Sequence, residues 1–220
     1  MKALRYVKQM KLRRGISVGA LVDEMRACGV LGAGRIGKAA ELAAEMFSNP
    51  EYTVFLTMAG PLVPGGLREI VSDLVDEGYV DVVVTTGANL VHDMVEALGY
   101  KHMIGTFLAE DERLKAENIG RIGDIYIELK AFTDLEKWMH KVLEGIPEEK
   151  RQRMSVAELL FEMGKQIPDP ESILATAARK GVSVICPAFV DSIAGFHLWV
   201  FGQDRKLIIC LLYTSPSPRD

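Results

Sequence analysis

Apolar residues along the chain follow two patterns, one typical of helices and one typical of buried strands. Where they recur every three or four residues they predict helices, and short continuous runs bounded by glycine, proline or asparagine predict strands. The predicted helices are Val18–Ala27, Ile36–Phe47, Leu67–Val75, Leu90–Leu98, Thr133–Leu143, one that opens with a capping box at Ser155, and one from Pro170 to Arg179. The predicted strands are Tyr52–Met58, Val80–Val84 and Val182–Cys186, and a turn is predicted at Pro61–Gly66.

Strands and helices alternate in strict order between Tyr52 and Leu98. The order strand, helix, strand, helix is typical of a βαβ unit with parallel strands and a right-handed crossover. Val80–Val84 is β-branched apart from one aspartate, as expected of a strand that is buried on both faces. We therefore expect an α/β fold in which a single domain occupies residues 17–209, since no repeat and no long linker divides this range.

Composition narrows the classes of function. The chain has 220 residues, 49% of them hydrophobic, which suits one compact α/β domain. A net charge of −4 argues against nucleic acid as the main partner, and no apolar run reaches the ~18–20 residues of a membrane span. The three cysteines form no CxxC pair and no even set, so we expect neither a disulfide framework nor a zinc ribbon, and we expect a cytoplasmic location.

The two ends of the chain differ from its middle. Residues 1–16 form a basic arm, with six basic and no acidic residues among the first fourteen. This arm is interpreted either as a contact for an acidic partner or as a solvated leader. The last run, CLLYTSPSPRD at residues 210–220, has a disorder-like composition and looks like translated adapter sequence. We expect it to be a non-native, disordered tail from about Cys210.

The stretch GAGRIG, residues 32–37, matches the letters of the dinucleotide-binding fingerprint. That fingerprint needs a buried strand before its first glycine and an acidic residue roughly 20 positions further on. Here a helical pattern precedes the stretch, and Leu56–Met58 offers no carboxylate at the required distance. We interpret the stretch as a connector between two helices, in which Gly29 ends the first helix and the other glycines permit close packing.

The loops that follow the three predicted strands are better candidates for a nucleotide site. They are residues 57–66, residues 85–89 and residues 187–192, and all three are rich in small and polar residues. Small residues let a ligand approach the backbone, and a helix that starts in such a loop offers N–H groups and a positive dipole end to an anion. Since parallel strands end at one edge of a sheet, we expect the loops to line one crevice. Each loop alone is equally consistent with an ordinary turn.

His92 and Asp93 directly follow the second of these loops. Together with Asp191 they could surround a cationic ligand, and His92 could carry a proton near neutral pH. The alternative is a solvated pair on the first turn of a helix. The remaining histidines are expected to stand alone without the spacing of metal ligands, so no metal site is predicted: His102, His140 and His197.

Four stretches, and the spacings between them, are typical of one known family. They read LTMAGPLVPGGLRE, DVVVTTGANLVHDMVEALG, ENIGRIGD and PAFVDSIAGFHLWVF. On these residues the chain resembles the deoxyhypusine synthases, the archaeal-type members most closely, over roughly Leu21–Lys206. The resemblance implies a Rossmann-like parallel sheet with flanking helices, incomplete at the C-terminus, and a homotetramer with active sites between paired subunits.

The resemblance also implies a reaction. NAD takes a hydride from the secondary amine of spermidine, the resulting imine is cleaved, and the aminobutyl group passes through an enzyme lysine to one lysine of the translation initiation factor 5A precursor. Carried over by position, the implied cofactor-binding residues are Gly60, Pro61, Leu62, Val63, Pro64, Thr86, Gly87, Ala88 and Asp191. The implied substrate-binding residues are Val91, His92 and Asp93.

The chain also departs from the family pattern. Pro61 stands where many members have asparagine, His92 where some have glutamate, and Phe196 where some have an amine-binding aspartate. The family's later glycine-rich NAD segment and its W-G-K segment with the nucleophilic lysine have no counterpart in this sequence. We therefore expect a fragment that lacks the catalytic lysine, is inactive by itself, and is prone to aggregate through an exposed sheet edge.

Two alternatives to this function stay open. One is an enzyme of the same fold that acts on another amine, such as agmatine or putrescine. The other is a non-catalytic NAD-binding module. A dehydrogenase built on GAGRIG is the least favoured hypothesis, because the stretch lacks both the strand and the acidic residue that the fingerprint needs.

Overall fold

The computed structural model describes residues 5–210 of the chain. These residues divide into two compact units, of which the first ends at Val54 and the second begins at Phe55. The boundary lies inside the range that the sequence analysis assigns to one domain, and the single domain over residues 17–209 stays a prediction. Of the tail predicted to be disordered at residues 210–220, Cys210 lies in a short strand, contrary to the prediction, and residues 211–220 lie outside the described residues.

The first unit contains two helices, α1 (Val18–Cys28) and α2 (Leu31–Ser48). Ser17 caps α1 by accepting a hydrogen bond from the N–H of Ala20, and Gly29 ends it with a left-handed φ of 76°, as predicted. The prediction that the second helix begins at Ile36 is wrong, because α2 begins at Leu31 and contains the whole GAGRIG stretch. The connector is therefore shorter than expected.

Two glycines of GAGRIG let the helices of this unit approach each other. A Cβ atom on Gly34 would lie 2.4 Å from the carbonyl carbon of Gly29, and one on Gly37 would lie 2.4 Å from the backbone of Arg26. Neither distance leaves room for a side chain. The expected packing role of these glycines is confirmed, although Gly32 meets nothing within 4 Å.

The basic arm is described from residue 5 onward, and its described part up to residue 16 contains no helix and no strand. It contacts α1 through one carboxylate. Lys8 Nζ lies 3.9 Å from Glu24 Oε1, and the backbone N–H of Lys11 donates to Glu24 Oε2 at 3.2 Å. These contacts do not distinguish a contact for an acidic partner from a solvated leader, and both stay predictions.

The second unit alternates short strands with helices. Its helices are α3 (Arg68–Asp76), α4 (Gly87–Ala97), α5 (Asp111–Ala116), α6 (Lys130–Gly145), α7 (Glu148–Arg151), α8 (Val156–Gln166), α9 (Ile173–Lys180) and α10 (Ile193–Asp204). Its strands are β1 (Phe55–Thr57), β2 (Val82–Val84), β3 (Met103–Ile104), β4 (Ile119–Ile122), β5 (Ile125–Glu128), β6 (Met154–Ser155), β7 (Ser183–Ile185) and β8 (Ile209–Cys210). The predicted helices are all found, and α4 and α6 begin three residues earlier than expected.

The three predicted strands form one parallel sheet in the order β1-β2-β7, which confirms the predicted α/β class. In its register Leu56 lies beside Val83, which in turn lies beside Val184. Val83 is fully buried, as expected of a central strand. The prediction that the first strand is buried is corrected: Phe55 is 55% exposed, because β1 lies at the edge of this sheet.

A second, antiparallel sheet in the order β3-β5-β4 lies between α4 and α6 in the sequence, where we predict no strand. Most of its residues are half-buried, so its apolar pattern is weak. β6 and β8 form a further short parallel pair.

The core of the second unit lies between the parallel sheet and the helices around it. Its fully buried side chains include Leu90, Met94, Leu135, Met139, Leu159 and Met163. The predicted capping box at Ser155 is present, since its Oγ accepts from the N–H of Glu158 while Glu158 accepts from the N–H of Ser155. Gly181 ends α9 in the left-handed conformation, as predicted. Within residues 5–210, the helices are all too short or too polar to cross a membrane.

Candidate functional site

The three loops predicted to line a crevice begin side by side. The N–H of Met58 donates to the carbonyl of Val84 at 2.9 Å, and the N–H of Thr85 donates to the carbonyl of Ile185 at 2.9 Å. The parallel pairing thus continues one residue beyond each strand and delivers the loops to the same edge of the sheet. The predicted convergence of the three strand ends is confirmed.

The first loop places some of the predicted cofactor residues at the surface and buries others. Gly60 and Pro61 are exposed, and Gly60 has a left-handed φ of 69° that favours glycine. Val63 and Pro64 are buried, and Val63 packs in a small apolar cluster. Val63 and Pro64 can therefore offer a ligand only backbone carbonyl groups, because the N–H of Val63 donates to Asn89 and proline has no N–H. Leu62, which lies between the exposed and the buried pair in the sequence, is half-buried.

The second loop opens α4 and leaves hydrogen-bond donors free. Thr86 caps the helix, and its Oγ1 accepts from the N–H of Asn89 at 3.5 Å. The N–H groups of Gly87 and Ala88 have no acceptor among the described residues. Because free N–H groups at a helix N-terminus attract anions, this end of α4 suits a phosphate group.

Asn89 connects the first two loops and is a residue that the sequence analysis did not single out. Its side chain is fully buried. Its Oδ1 accepts from the N–H of Val63 at 3.3 Å, while its Nδ2 donates to Thr85 Oγ1 at 3.3 Å. A buried amide must find partners, so these bonds fix the position of one loop against the other.

The third loop packs directly on the second. A Cβ atom on Gly87 would lie 2.5 Å from the Cβ of Ser192, which explains why glycine is needed there. Asp191 ends a single helical turn, Phe189–Asp191, and is exposed. Its carboxylate has no hydrogen-bond or ion-pair partner among the described residues, so it is available to accept from a ligand hydroxyl or ammonium group.

Asp93 is a buried anchor of the fold. Its carboxylate has no exposed surface and accepts four hydrogen bonds, from Arg68 Nε at 2.7 Å, Ser172 Oγ at 2.8 Å, and the N–H groups of Ile173 and Leu174 at 3.1 Å. Burial raises the pKa of Asp93, although the arginine and the other donors act against it. Since an arginine and two backbone N–H groups can only donate, we treat the carboxyl group as ionised.

This anchor joins three helices, since Arg68 begins α3, Asp93 lies in α4 and Ser172 caps α9. Arg68 also donates to Asp169 at 2.7 Å. Burial lowers the pKa of Arg68, but the two carboxylates outweigh it and the net direction is upward. No local pattern in the sequence marks Arg68, Asp169 or Ser172, because their partners are distant in the chain.

The structure corrects the interpretation of the residues after the second loop. His92 and Asp93 are both buried, so a solvated pair is excluded. Val91 is 2% exposed and belongs to the main core. The side chains of Val91 and Asp93 thus leave no surface for a substrate, whereas His92 keeps 9% of its surface exposed. Burial, with a smaller effect of His102, lowers the pKa of His92 to about 4.

The expectation that the other histidines stand alone is wrong. His102 lies between Glu96 and His92, at 2.5 Å and 2.9 Å respectively. His140 Nε2 donates to the backbone carbonyl of His197 at 3.2 Å. Residues 5–210 contain no group of three histidine, cysteine, aspartate or glutamate side chains arranged to bind a metal ion.

Known proteins match this chain over a range that includes the three strand-end loops. A family model described as deoxyhypusine synthase matches residues 20–212. The chain belongs to the deoxyhypusine synthase family. The match covers the parallel sheet, the three loops, α2 and all but the first two residues of α1.

Relatives within the deoxyhypusine synthase family include archaeal proteins that are longer than this chain. A "Probable deoxyhypusine synthase" from Methanosarcina thermophila is 43% identical over 201 residues, which are 91% of this chain and 62% of the relative. One from Methanothermobacter thermautotrophicus is 40% identical over 205 residues, which are 93% of this chain and 66% of the relative. The chain therefore spans less than two thirds of the length of these curated relatives.

A solved structure supports the fold. The match is to the "Crystal Structure of a putative deoxyhypusine synthase from Entamoeba histolytica", with a TM-score of 0.67 and 19% sequence identity. It covers 94% of this chain and 71% of the other. At this identity the likeness concerns the arrangement of helices and strands.

Proposed function

We propose that the chain is the NAD-binding part of a deoxyhypusine synthase. The whole enzyme would move an aminobutyl group from spermidine to a lysine of the translation initiation factor 5A precursor, in the cytoplasm and as a homotetramer. Family membership supports the transferase class. The observation that carries the cofactor assignment is that three parallel strand ends meet at the N-terminus of α4. There the N–H groups of Gly87 and Ala88 and the carboxylate of Asp191 have no partner within residues 5–210.

The residues at this edge suit a dinucleotide in a Rossmann-like manner. The N–H groups of Gly87 and Ala88 would bind the pyrophosphate, with Thr86 holding the start of the helix. Asp191 would accept from a ribose hydroxyl group. The exposed backbone at Gly60 and Pro61 would line the nucleotide from the first loop. When bound, NAD supplies an acceptor for the hydride of the amine and later returns it.

The chain contributes binding and orientation rather than the nucleophile. Cys186 lies beside the end of β7, but burial raises the pKa of its thiol to about 12, so it is not a thiolate at neutral pH. We assign no catalytic lysine within these residues, and we propose that the chain alone is inactive. Of the predicted substrate residues, we propose a ligand contact for His92 alone, because 9% of this residue stays exposed.

Nucleotide binding by the purified chain tests the cofactor assignment. Titration calorimetry with NAD should give measurable binding, and Gly87→Ala should weaken it about tenfold or more, since a Cβ there displaces Ser192. Gly32→Ala is the matched control, because the new Cβ meets nothing and should leave the affinity unchanged. Equal loss in both variants, or no binding by the unmodified chain, would reject the assignment.

Product analysis tests the reaction. The purified chain with NAD and spermidine should form neither NADH nor diaminopropane, and robust turnover would contradict the proposal that the chain alone is inactive. The same assay on a chain extended to the length of the relatives should give turnover with spermidine. Turnover with agmatine or putrescine instead would favour the alternative amine, and NAD binding without any turnover would favour a non-catalytic module.

A further inference from the structure

Glu96, His102 and His92 form a continuous line of hydrogen bonds beside α4. Glu96 Oε1 lies 2.5 Å from His102 Nδ1, and His102 Nε2 lies 2.9 Å from His92 Nδ1. The two imidazole rings meet edge to face with their centroids 4.9 Å apart. The side chain of His102 is 5% exposed and that of Glu96 17%. The three side chains are thus held together in a largely buried setting.

The order of these bonds dictates where the protons lie when both imidazoles are neutral. A carboxylate can only accept, so His102 Nδ1 must carry a proton and donate it to Glu96. The Nε2 of a neutral His102 is then an acceptor, and His92 Nδ1 must donate to it. His92 Nε2 is left without a proton, and it has no partner among the described residues.

His92 lies on the same helical face as the proposed cofactor loop. Ala88 precedes it by four residues, and residues four apart are neighbours on a helix. Side chains on a helix tilt towards its N-terminus, so the Cα–Cβ bond of His92 is directed towards the turn that contains Ala88. Ala88 is exposed at the N-terminus of α4. Phe132 packs against the His92 ring from α6, with the ring centroids 6.2 Å apart.

We propose that Glu96 and His102 are positioning residues that hold His92 in the Nδ1–H tautomer, so that its Nε2 accepts a hydrogen bond from the ligand at the edge of the sheet. The ligand group is a hydroxyl or ammonium donor, which a ribose of NAD or an amine substrate can supply. This inference rests on the proposed function for the identity of the ligand. The tautomer itself can be measured without any ligand.

Two-bond ¹⁵N–¹H NMR on the purified chain at about pH 8, where an ordinary imidazole is neutral, reads the tautomer directly. His92 and His102 should both appear as Nδ1–H forms with Nε2 unprotonated. His102→Phe should shift His92 towards the Nε2–H form, since its Nδ1 loses its acceptor. Glu96→Ala should likewise shift His102 towards the Nε2–H form, because its Nδ1 loses its acceptor. Glu96→Gln should preserve both tautomers, because the amide oxygen still accepts a hydrogen bond.

Matched controls come from another histidine and glutamate of the same unit. His140→Phe and Glu136→Ala alter residues of α6, where Glu136 lies 3.7 Å from His197, and should leave the His92 spectrum unchanged. In parallel, calorimetry with NAD and with spermidine, each alone, identifies the donor. The ligand that forms a hydrogen bond with His92 should bind the His102→Phe variant roughly tenfold more weakly than the His140→Phe control.

The Nε2–H form of His92 in the unmodified chain would overturn the proposal. An unchanged His92 tautomer in both His102→Phe and Glu96→Ala would also overturn it. If His102→Phe fails to fold, Glu96→Ala alone provides the test. A chain that binds neither NAD nor spermidine would reject the proposed function, while the tautomer measurement would still decide the positioning role.

Discussion

Two glycine-rich stretches of this chain have similar letters and opposite structural roles. GAGRIG at residues 32–37 lies inside α2, where Gly34 and Gly37 face backbone at distances that exclude a side chain. GPLVPGG at residues 60–66 follows a strand, and its glycines meet nothing within 4 Å. The first stretch uses glycine to bring two helices together. The second leaves open space at the end of a sheet, where a ligand can approach.

The comparison shows that a glycine motif has meaning only through the element that delivers it. The fingerprint letters in the first stretch have a helix before them and a helix around them. The second stretch lacks those letters but has the strand and the neighbouring helix N-terminus that a phosphate site needs. Context therefore outweighs the literal pattern.

The largest expected effect concerns the anchor that holds the second stretch in place. Asp93→Ala would leave Arg68 buried and deprive the start of α9 of its acceptor, and should lower the free energy of unfolding by about 3–5 kcal/mol. Asp76→Ala removes a carboxylate from exposed ion pairs with Arg179 and Lys180 and should lower the free energy of unfolding far less, because solvent screens such pairs. Urea unfolding measures both changes, and equal losses would mean that the buried network is not an anchor.

A smaller effect separates the glycines of the first stretch from one another. Gly37→Ala places a Cβ 2.4 Å from the backbone of Arg26 and should destabilise the α1–α2 pair by about 1–3 kcal/mol. Gly32→Ala meets open space and should stabilise α2 by roughly 0.5 kcal/mol through its higher helix propensity. Thermal unfolding followed by circular dichroism measures both, and a tolerated Gly37→Ala would contradict the packing role.

The effect that is smallest over any one pH unit is a pH dependence set by His92. The pKa of His92 is lowered from the ordinary 6.5 to about 4 in the folded chain, so the unfolded chain binds the proton more readily. The free energy of unfolding should therefore be highest above about pH 6.5 and fall by about 1.4 kcal/mol per unit as the pH is lowered towards 4. Urea unfolding at several pH values measures this slope.

The matching variant for this prediction is His92→Gln, which removes the titrating group. Between about pH 6.5 and 5, the free energy of unfolding of this variant should fall less steeply with pH than that of the unmodified chain. Burial also lowers the pKa of His197, but that contribution is present in both proteins and cancels in the comparison. If the free energy of unfolding of both proteins changed equally with pH, the pKa of His92 would be the same in the folded and the unfolded chain.

Much of the fold follows from local pattern. The apolar runs that end at Met58, Val84 and Cys186 predicted the strands of the parallel sheet, and Ser155 and Gly181 marked helix ends because capping depends on neighbouring residues. The start of α2 was misplaced, since glycines within a helix resemble a connector when packing is not visible. The antiparallel sheet was missed because its residues are only half-buried.

The candidate site was predictable in outline and not in detail. Parallel strands end at one edge of a sheet, so the sequence alone determined which loops meet. It could not distinguish Asp93, which is fully buried against Arg68, from Asp191, which is exposed and unpaired in the described part of the chain. Nor could it join His92 to His102, ten residues further on.

The sequence by itself determined the α/β class, the family and the loops at the edge of the sheet, because these depend on the order of local patterns. Only the tertiary structure decided which polar side chains are structural and which are free. Burial and pairing between distant residues lower the pKa of His92 and bind the Asp93 carboxylate to the start of α9. They also leave the N–H groups of Gly87 and Ala88 without an acceptor among the described residues. Such long-range contacts have no local signature in the chain.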